Sequence, residues 1–244
     1  MKNNFLIIFF ISIFFASCDE YLDVNDTPNS ALIAAVPPNL KLAAAQSQIY
    51  RVISGDNRGS SADIRNSSMN QLGNIFMNSW AGNSNSVGSA YLDEYTVNMG
   101  TSFYNEIWDY SYINLANLNS IVTYDSQDFD NHKAIAMILE SFYMQYIVDL
   151  YGDCPYSEAF KGSAVLYPKY DDARTVYRAL YDRLDQAETL IVGANSSDAV
   201  VGGEDVMLGG NMADWIKFSN TIKLRLLIRQ SGLTDTDTTT YIDG

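Results

Sequence analysis

Apolar residues along this chain recur at helical rather than strand spacing. The densest case is residues 134–151, where Ile135, Ile138, Leu139, Phe142 and Tyr146 form one face. Ala134, Met137, Met144 and Val148 make most of the remaining circumference apolar as well. A helix apolar nearly all round is surrounded by other helices, so this element is predicted to sit at the centre of the fold. It is predicted to stop at Tyr151-Gly152, where glycine takes the left-handed conformation without a Cβ penalty, and Pro155 blocks any resumption.

The other elements follow from the same periodicity. Pro38 at a first turn opens a helix over 39–53, and 54–59 breaks it. A second helix over 62–80 carries Ile64, Met69, Leu72, Ile75, Phe76 and Met77. A third, over 102–124, carries Phe103, Ile107, Trp108, Ile113, Leu115, Leu118 and Val122, and residues 128–131 supply the cap of the central helix. Asp171 or Asp172 caps a helix over 173–192, striped by Val176, Leu180, Leu184, Ala187 and Ile191. Asn211 with Asp214 resembles a capping box and opens 212–230, which Gly232 ends. Between these elements, 82–100 reads as a long structureless loop, 157–170 as an extended segment, 193–210 as a glycine-rich loop, and the tail from Thr234 as polar.

The N-terminus follows a different pattern. Residues 1–17 hold one Lys, an apolar run over 5–15 and the small pair Ala16-Ser17, which is the layout of a secretory signal. The run is shorter than the ~20 apolar residues a spanning helix needs. Phe15-Ala16-Ser17-Cys18 resembles a lipobox, whose cysteine becomes the lipidated first residue; a chance cysteine in an ordinary secretory signal is the alternative. Each buried acyl CH₂ contributes about 0.8 kcal/mol, so several chains anchor a protein durably. Residues 18–36 read as a tether and 37–244 as a helical domain, part of a larger one.

Composition narrows the function. A formal charge of −14 over 244 residues argues against nucleic acid and against a basic membrane-binding face. Seventeen tyrosines offer flat apolar bodies with a hydroxyl, suited to amphipathic ligands such as sugars, although any one of them reads first as packing. One His and no Cys-x-x-Cys argue against structural zinc, and His132 reads as a surface residue at the start of the central helix. Asp235-x-Asp237-x-Thr239 lacks the glycine and bidentate acid of a calcium loop. There is no Gly-x-Ser-x-Gly and no phosphate-binding glycine loop. Arg225 and Arg229, four apart, are expected to pair with buried acids, with Asp149 or Asp153 as partner; Trp215 and Phe218 read as core.

Tyr151-Gly152-Asp153-Cys154-Pro155-Tyr156 resembles the Gly-Asp-x-Pro-Tyr segment of the SusD/RagB family of Bacteroidetes outer-membrane lipoproteins. Tyr167-Pro168-x-Tyr170-Asp171, the helix over 176–190, and Trp215-Ile216-Lys217-Phe218-Ser219-Asn220 through Leu224-Arg225 resemble its next segments in order. Cys154 stands where an aliphatic residue is more usual. The resemblance implies an all-α fold of tetratricopeptide-like stacked helix pairs with long irregular loops, 102–124 with 131–150 and 173–192 with 212–230. It matches only the family's N-terminal half. It further implies lipidation at Cys18, surface exposure on the outer membrane aided by Asp19 and Glu20, no cofactor and no reaction. The ligand would be a glycan or other nutrient, and the partner a SusC-like TonB-dependent transporter. Residues 80–95 combine aromatics, amides and an acid in one stretch, making Trp80, Asn83, Tyr91 and Asp93 the candidate ligand site. The competing reading of Trp80 is a core residue closing its helix. The competing reading of the whole is a secreted glycan-acting hydrolase of helical fold.

Overall fold

A computed structural model describes residues 35–54, 68–80 and 91–233. The helices among them are α1 (Pro38–Ser47), α2 (Ile49–Ser54), α3 (Met69–Phe76), α4 (Leu92–Thr96), α5 (Asn105–Val122), α6 (Asp130–Tyr151), α7 (Ala173–Gly193) and α8 (Met212–Gln230). The described residues contain no strand, only the isolated antiparallel bridge between Cys154 and Asp171. The protein is all-α.

The central helix is where its apolar circumference put it. α6 packs against α5, α7 and α8, α7 packs on α8, and α1 lies against α5 and α6. Ile135, Ile138, Leu139, Met144 and Ile147 are fully or almost fully buried, each worth about 1.5–3 kcal/mol of transfer from water. Phe142 and Tyr146 are half-buried, where α8 brings Arg225 over both rings at 4.9 and 5.1 Å. A smaller core of Val52, Tyr104 and Ile107 joins α2 to the start of α5, with Met69 and Leu72 packed on it.

Caps decide several boundaries. Asp172 accepts from the Thr175 amide at 3.0 Å and starts α7, while Asn211 accepts from the Asp214 amide and starts α8. Gly152 ends α6 at positive φ, as expected, but with φ 76 and ψ −125 it occupies the mirror image of extended backbone rather than the left-handed helical well. The chain therefore leaves α6 extended, toward the bridge at Cys154.

Several expectations need correction. The helix over 39–53 is two helices separated at Gln48. The helix over 62–80 starts at Met69, because Ser68 is extended and caps the Gln71 amide, and it ends at Phe76; Ile64 lies outside the described residues. Phe76 and Met77 are exposed. The helix over 102–124 starts at Asn105, since Tyr104 holds φ 51, and it leaves Ile113 exposed. α6 is preceded by Phe129 with no side-chain cap, so residues 128–131 do not supply one. The loop over 82–100 contains α4, and the segment over 157–170 contains a 3₁₀ turn, Gly162–Ala164.

His132 is completely buried rather than on the surface. Its Nε2 lies 3.0 Å from Glu204 Oε1, in the loop between α7 and α8. Arg229 pairs with Asp149 at 3.1 Å, one of the two acids expected. Arg225 instead donates to Gln145 Oε1 at 2.7 Å, and Asp153 accepts from the Ala173 amide at the start of α7. Trp215 is core, with Phe218 packed beside it.

Candidate functional site

The stretch proposed for ligand recognition is built on α3, α4 and the start of α5. Beyond α3 the chain turns through Asn78 at φ 55, and the Ser79 and Trp80 amides both donate to Asn74 O. That turn leaves Trp80 40% exposed, so it is no core residue. Tyr91 stands before α4 at φ 63 and meets the Tyr95 ring edge-on at 6.4 Å. Asp93 accepts from Asn98 Nδ2 at 3.1 Å, while the Asn98 amide closes onto Asp93 O at 2.8 Å. Tyr104 donates to Glu94 Oε1 at 2.6 Å, and burial followed by that carboxylate pushes its phenol well above the usual range.

These contacts frame a polar cleft of about 310 Å³ whose lining includes Gln71, Tyr91, Asp93, Glu94, Asn98 and Tyr104. Tyr91 and Asp93 are thus brought together. Trp80 does not line the cleft, and Asn83 lies outside the described residues. Gln71, Glu94, Asn98 and Tyr104 were not foreseen. Asn98 had a legible signal, an amide in the same glycine- and serine-rich stretch, but Gln71 and Tyr104 arrive from helices that sequence alone does not place beside it. Phe103 and Tyr104 also line a larger, mostly apolar groove of about 660 Å³ with Met69, Leu72 and Phe76, which Asp149 and Arg229 border.

A second concentration of aromatics surrounds the turn after α6. Asp171 accepts from the Tyr156 and Ser157 amides at 3.1 and 2.7 Å and from Ser157 Oγ at 2.9 Å. Slight burial works against its charge, but the Ser157 and Tyr156 donors outweigh it and hold the carboxyl below the usual range. Tyr112 donates to Pro155 O at 2.8 Å. On this fixed turn Trp108 lies parallel to exposed Tyr170 at 6.4 Å, edge-on to Tyr151 at 4.9 Å, and 4.7 Å from Tyr112. Cys154 is a free buried thiol, which burial pushes up to about 11. Among the described residues, no three His, Cys, Asp or Glu side chains gather as a metal site, and no helix is long and apolar enough to cross a membrane. Cys18 lies outside the described residues.

A helical body with aromatic-lined polar clefts defines a binding protein of the SusD kind, and comparison with known proteins gives the family. Residues 44–243 match a SusD-like family model described as "Starch-binding associating with outer membrane". The chain belongs to this SusD-like family. Among solved structures it is similar to a SusD/RagB family protein from Bacteroides thetaiotaomicron, with TM-score 0.65 and 20% identity over 85% of this chain and 42% of that one. A Bacteroidetes SusD-like protein gives TM-score 0.62 and 24% identity over 85% of this chain and 36% of that one. A chitin-binding protein gives 0.58 and 26% over 80% and 40%. The chain thus spans less than half the length of these solved relatives. No curated protein matches significantly.

Proposed function

We propose that this protein is a glycan-binding lipoprotein of the outer membrane, anchored through Cys18 after removal of residues 1–17, and not an enzyme. Residues 18–36 tether the anchor to the helical body, and the bound glycan passes to a SusC-like TonB-dependent transporter. The observation that carries the reading is the family match over 44–243, whose description joins starch binding to the outer membrane. The chitin-binding relative, 26% identical, supports a neutral polysaccharide as the ligand class. Binding rather than hydrolysis is supported by the carboxylates, many of which are engaged: Asp153 and Asp172 in caps, Asp171 on the turn, Asp149 and Glu140 with arginines.

The ligand site in this reading is the Tyr91–Asp93 cleft, with Trp80 and Asn83 contributing from the preceding stretch. Aromatic faces take the CH surface of a sugar while Asp93, Asn98 and Gln71 satisfy hydroxyls. Trp80→Ala and Tyr91→Ala should each weaken binding of maltoheptaose or chitohexaose about tenfold, ~1.4 kcal/mol, by calorimetry. Wild-type affinity in both variants would move the site elsewhere, and release of reducing ends from the oligosaccharides would replace binding with hydrolysis. The anchor has its own test: Cys18→Ala should shift the protein from the membrane to the soluble fraction. Retention of that variant in the membrane would refute lipidation at this residue.

A further inference from the structure

Away from the Tyr91 cleft, a second cavity opens between α5, α6, α7 and the turn that follows α6. Its volume is about 240 Å³, and its lining includes Asn119 of α5, Glu140 of α6, Arg183 of α7, and Ser157, Ala159 and Phe160 of the turn. Glu140 is only 8% exposed. Arg183 donates to its Oε2 through Nε at 3.2 Å and through Nη2. The other oxygen, Oε1, is buried without a hydrogen-bond partner. A buried carboxylate oxygen left without a donor is costly, so the cavity carries an unmet demand for one. Burial pushes the Glu140 carboxyl above the usual glutamate range, against the pull of Arg183 and Asn119.

The chemistry of the lining selects the donor. Glu140 and Arg183 offset each other in charge, which favours an uncharged hydroxyl over an ion. At the rim stands Phe160, a bulky residue at φ 63 and 37% exposed. Strain of this kind persists where the surrounding structure over-determines it, and it clusters at ligand clamps. The Phe160 ring is 6.1 Å from Tyr112, which leads on to Trp108 and then Tyr170. The cavity therefore adjoins one end of a row of aromatic rings. An apolar face beside an unmatched acceptor fits the two surfaces of a sugar ring, CH on one side and hydroxyl on the other.

We infer that this cavity binds one ring of a neutral saccharide, a hydroxyl donating to Glu140 Oε1 and the ring resting on Phe160, with further rings along Tyr112, Trp108 and Tyr170. The inference takes its ligand class from the glycan-binding reading but is independent of the Tyr91 cleft. Two variants test it without breaking the Glu140–Arg183 pair. Phe160→Gly removes the ring and suits the positive φ, so a loss cannot come from backbone strain. Ala159→Leu fills the cavity from its lining. Saturation-transfer NMR on the chain with maltoheptaose and chitohexaose should show each variant weakening binding about tenfold, with the Tyr91→Ala protein retaining the contact. Unchanged binding in both variants overturns the inference while leaving the glycan reading intact. Loss in these variants but not in Tyr91→Ala supports it and moves the principal site here. No binding by the wild-type chain to either probe overturns the inference and the glycan reading together.

Discussion

The segment over 78–104 and the segment over 152–210 both use positive φ, but they spend it on different residues. In the second, it falls on Gly152, Gly162, Gly209 and Gly210, with Phe160 the exception. In the first, it falls on Asn78, Tyr91, Val97 and Tyr104, none of them glycine. Asn tolerates this region, but a β-branched Val or a bulky Tyr there is an outlier, held at about 1–3 kcal/mol each. The second segment ties its turns to buried carboxylates: Asp205 accepts from Trp215 Nε1 at 2.7 Å, Gln46 Nε2 at 2.8 Å and the Gly210 amide at 2.9 Å. The first ties its turn through exposed Asp93 and Asn98. One segment is built to hold shape at low strain. The other, which forms the polar cleft, carries strain that a ligand contact can exploit.

The sharpest test of the scaffold side is Gly210→Ala. A Cβ there would meet Val201 O at 2.2 Å and Val201 C at 2.9 Å, at φ 79. Backbone cannot swing aside as a side chain does, so the loss should reach about 3 kcal/mol in urea unfolding. Gly152→Val meets no atom within 4 Å and pays only for its φ of 76, so its loss should be smaller, about 1–3 kcal/mol. Equal losses would mean that conformation, not the close approach at Val201, sets the cost.

Asp205→Asn comes next. The amide nitrogen must face one set of donors, Trp215 and Gly210 on one oxygen or Gln46, Met207 and Leu208 on the other, leaving buried N–H groups unpaired. The cost at neutral pH should be about 2 kcal/mol. Burial opposes the charge of Asp205, but hydrogen bonds from Trp215, the Gly210 amide and Gln46 outweigh it and hold the carboxyl below the usual range. A lowered folded value means the contribution is present above the unfolded value of about 3.9 and is lost as pH falls through the folded one. The stability gap between wild type and variant should therefore narrow below about pH 4. A constant gap down to strong acid would show that the charge plays no part.

The same division governs what the residues alone disclosed. α7 and α8 were legible nearly to the residue, because Asp172 and Asn211 announce their starts locally and their apolar stripes face one neighbour. The core of α6 was legible for a similar reason. His132 was misread because its sequence neighbours are polar, whereas what buries and pairs it comes from a loop 72 residues away. Arg229 found one of its expected acids, but Arg225 found an amide and two rings, since periodicity gives a face and not a partner. The cleft was half legible. Tyr91 and Asp93 are neighbours in sequence, but α4 is a single turn with no apolar period, and Gln71 and Tyr104 reach the cleft only through tertiary packing.

The smallest effect belongs to the strained side. Val97 ends α4 at φ 54, exposed to solvent, with its amide donating to Glu94 O at 3.3 Å. Glycine at this position keeps the amide and the turn while removing the Cβ that disfavours the conformation. It also frees the unfolded chain, which offsets part of the gain, so Val97→Gly should stabilise by about 0.5–1 kcal/mol. The same change at a glycine-free position of α7, such as exposed Val192, should destabilise by a similar amount, because its backbone is helical and glycine there only adds freedom to the unfolded state. Opposite signs for Val97→Gly and Val192→Gly in thermal unfolding would locate the strain in the cleft segment. If both lower the melting temperature, Val97 holds its conformation without strain and the contrast between the two segments rests on their hydrogen bonds alone.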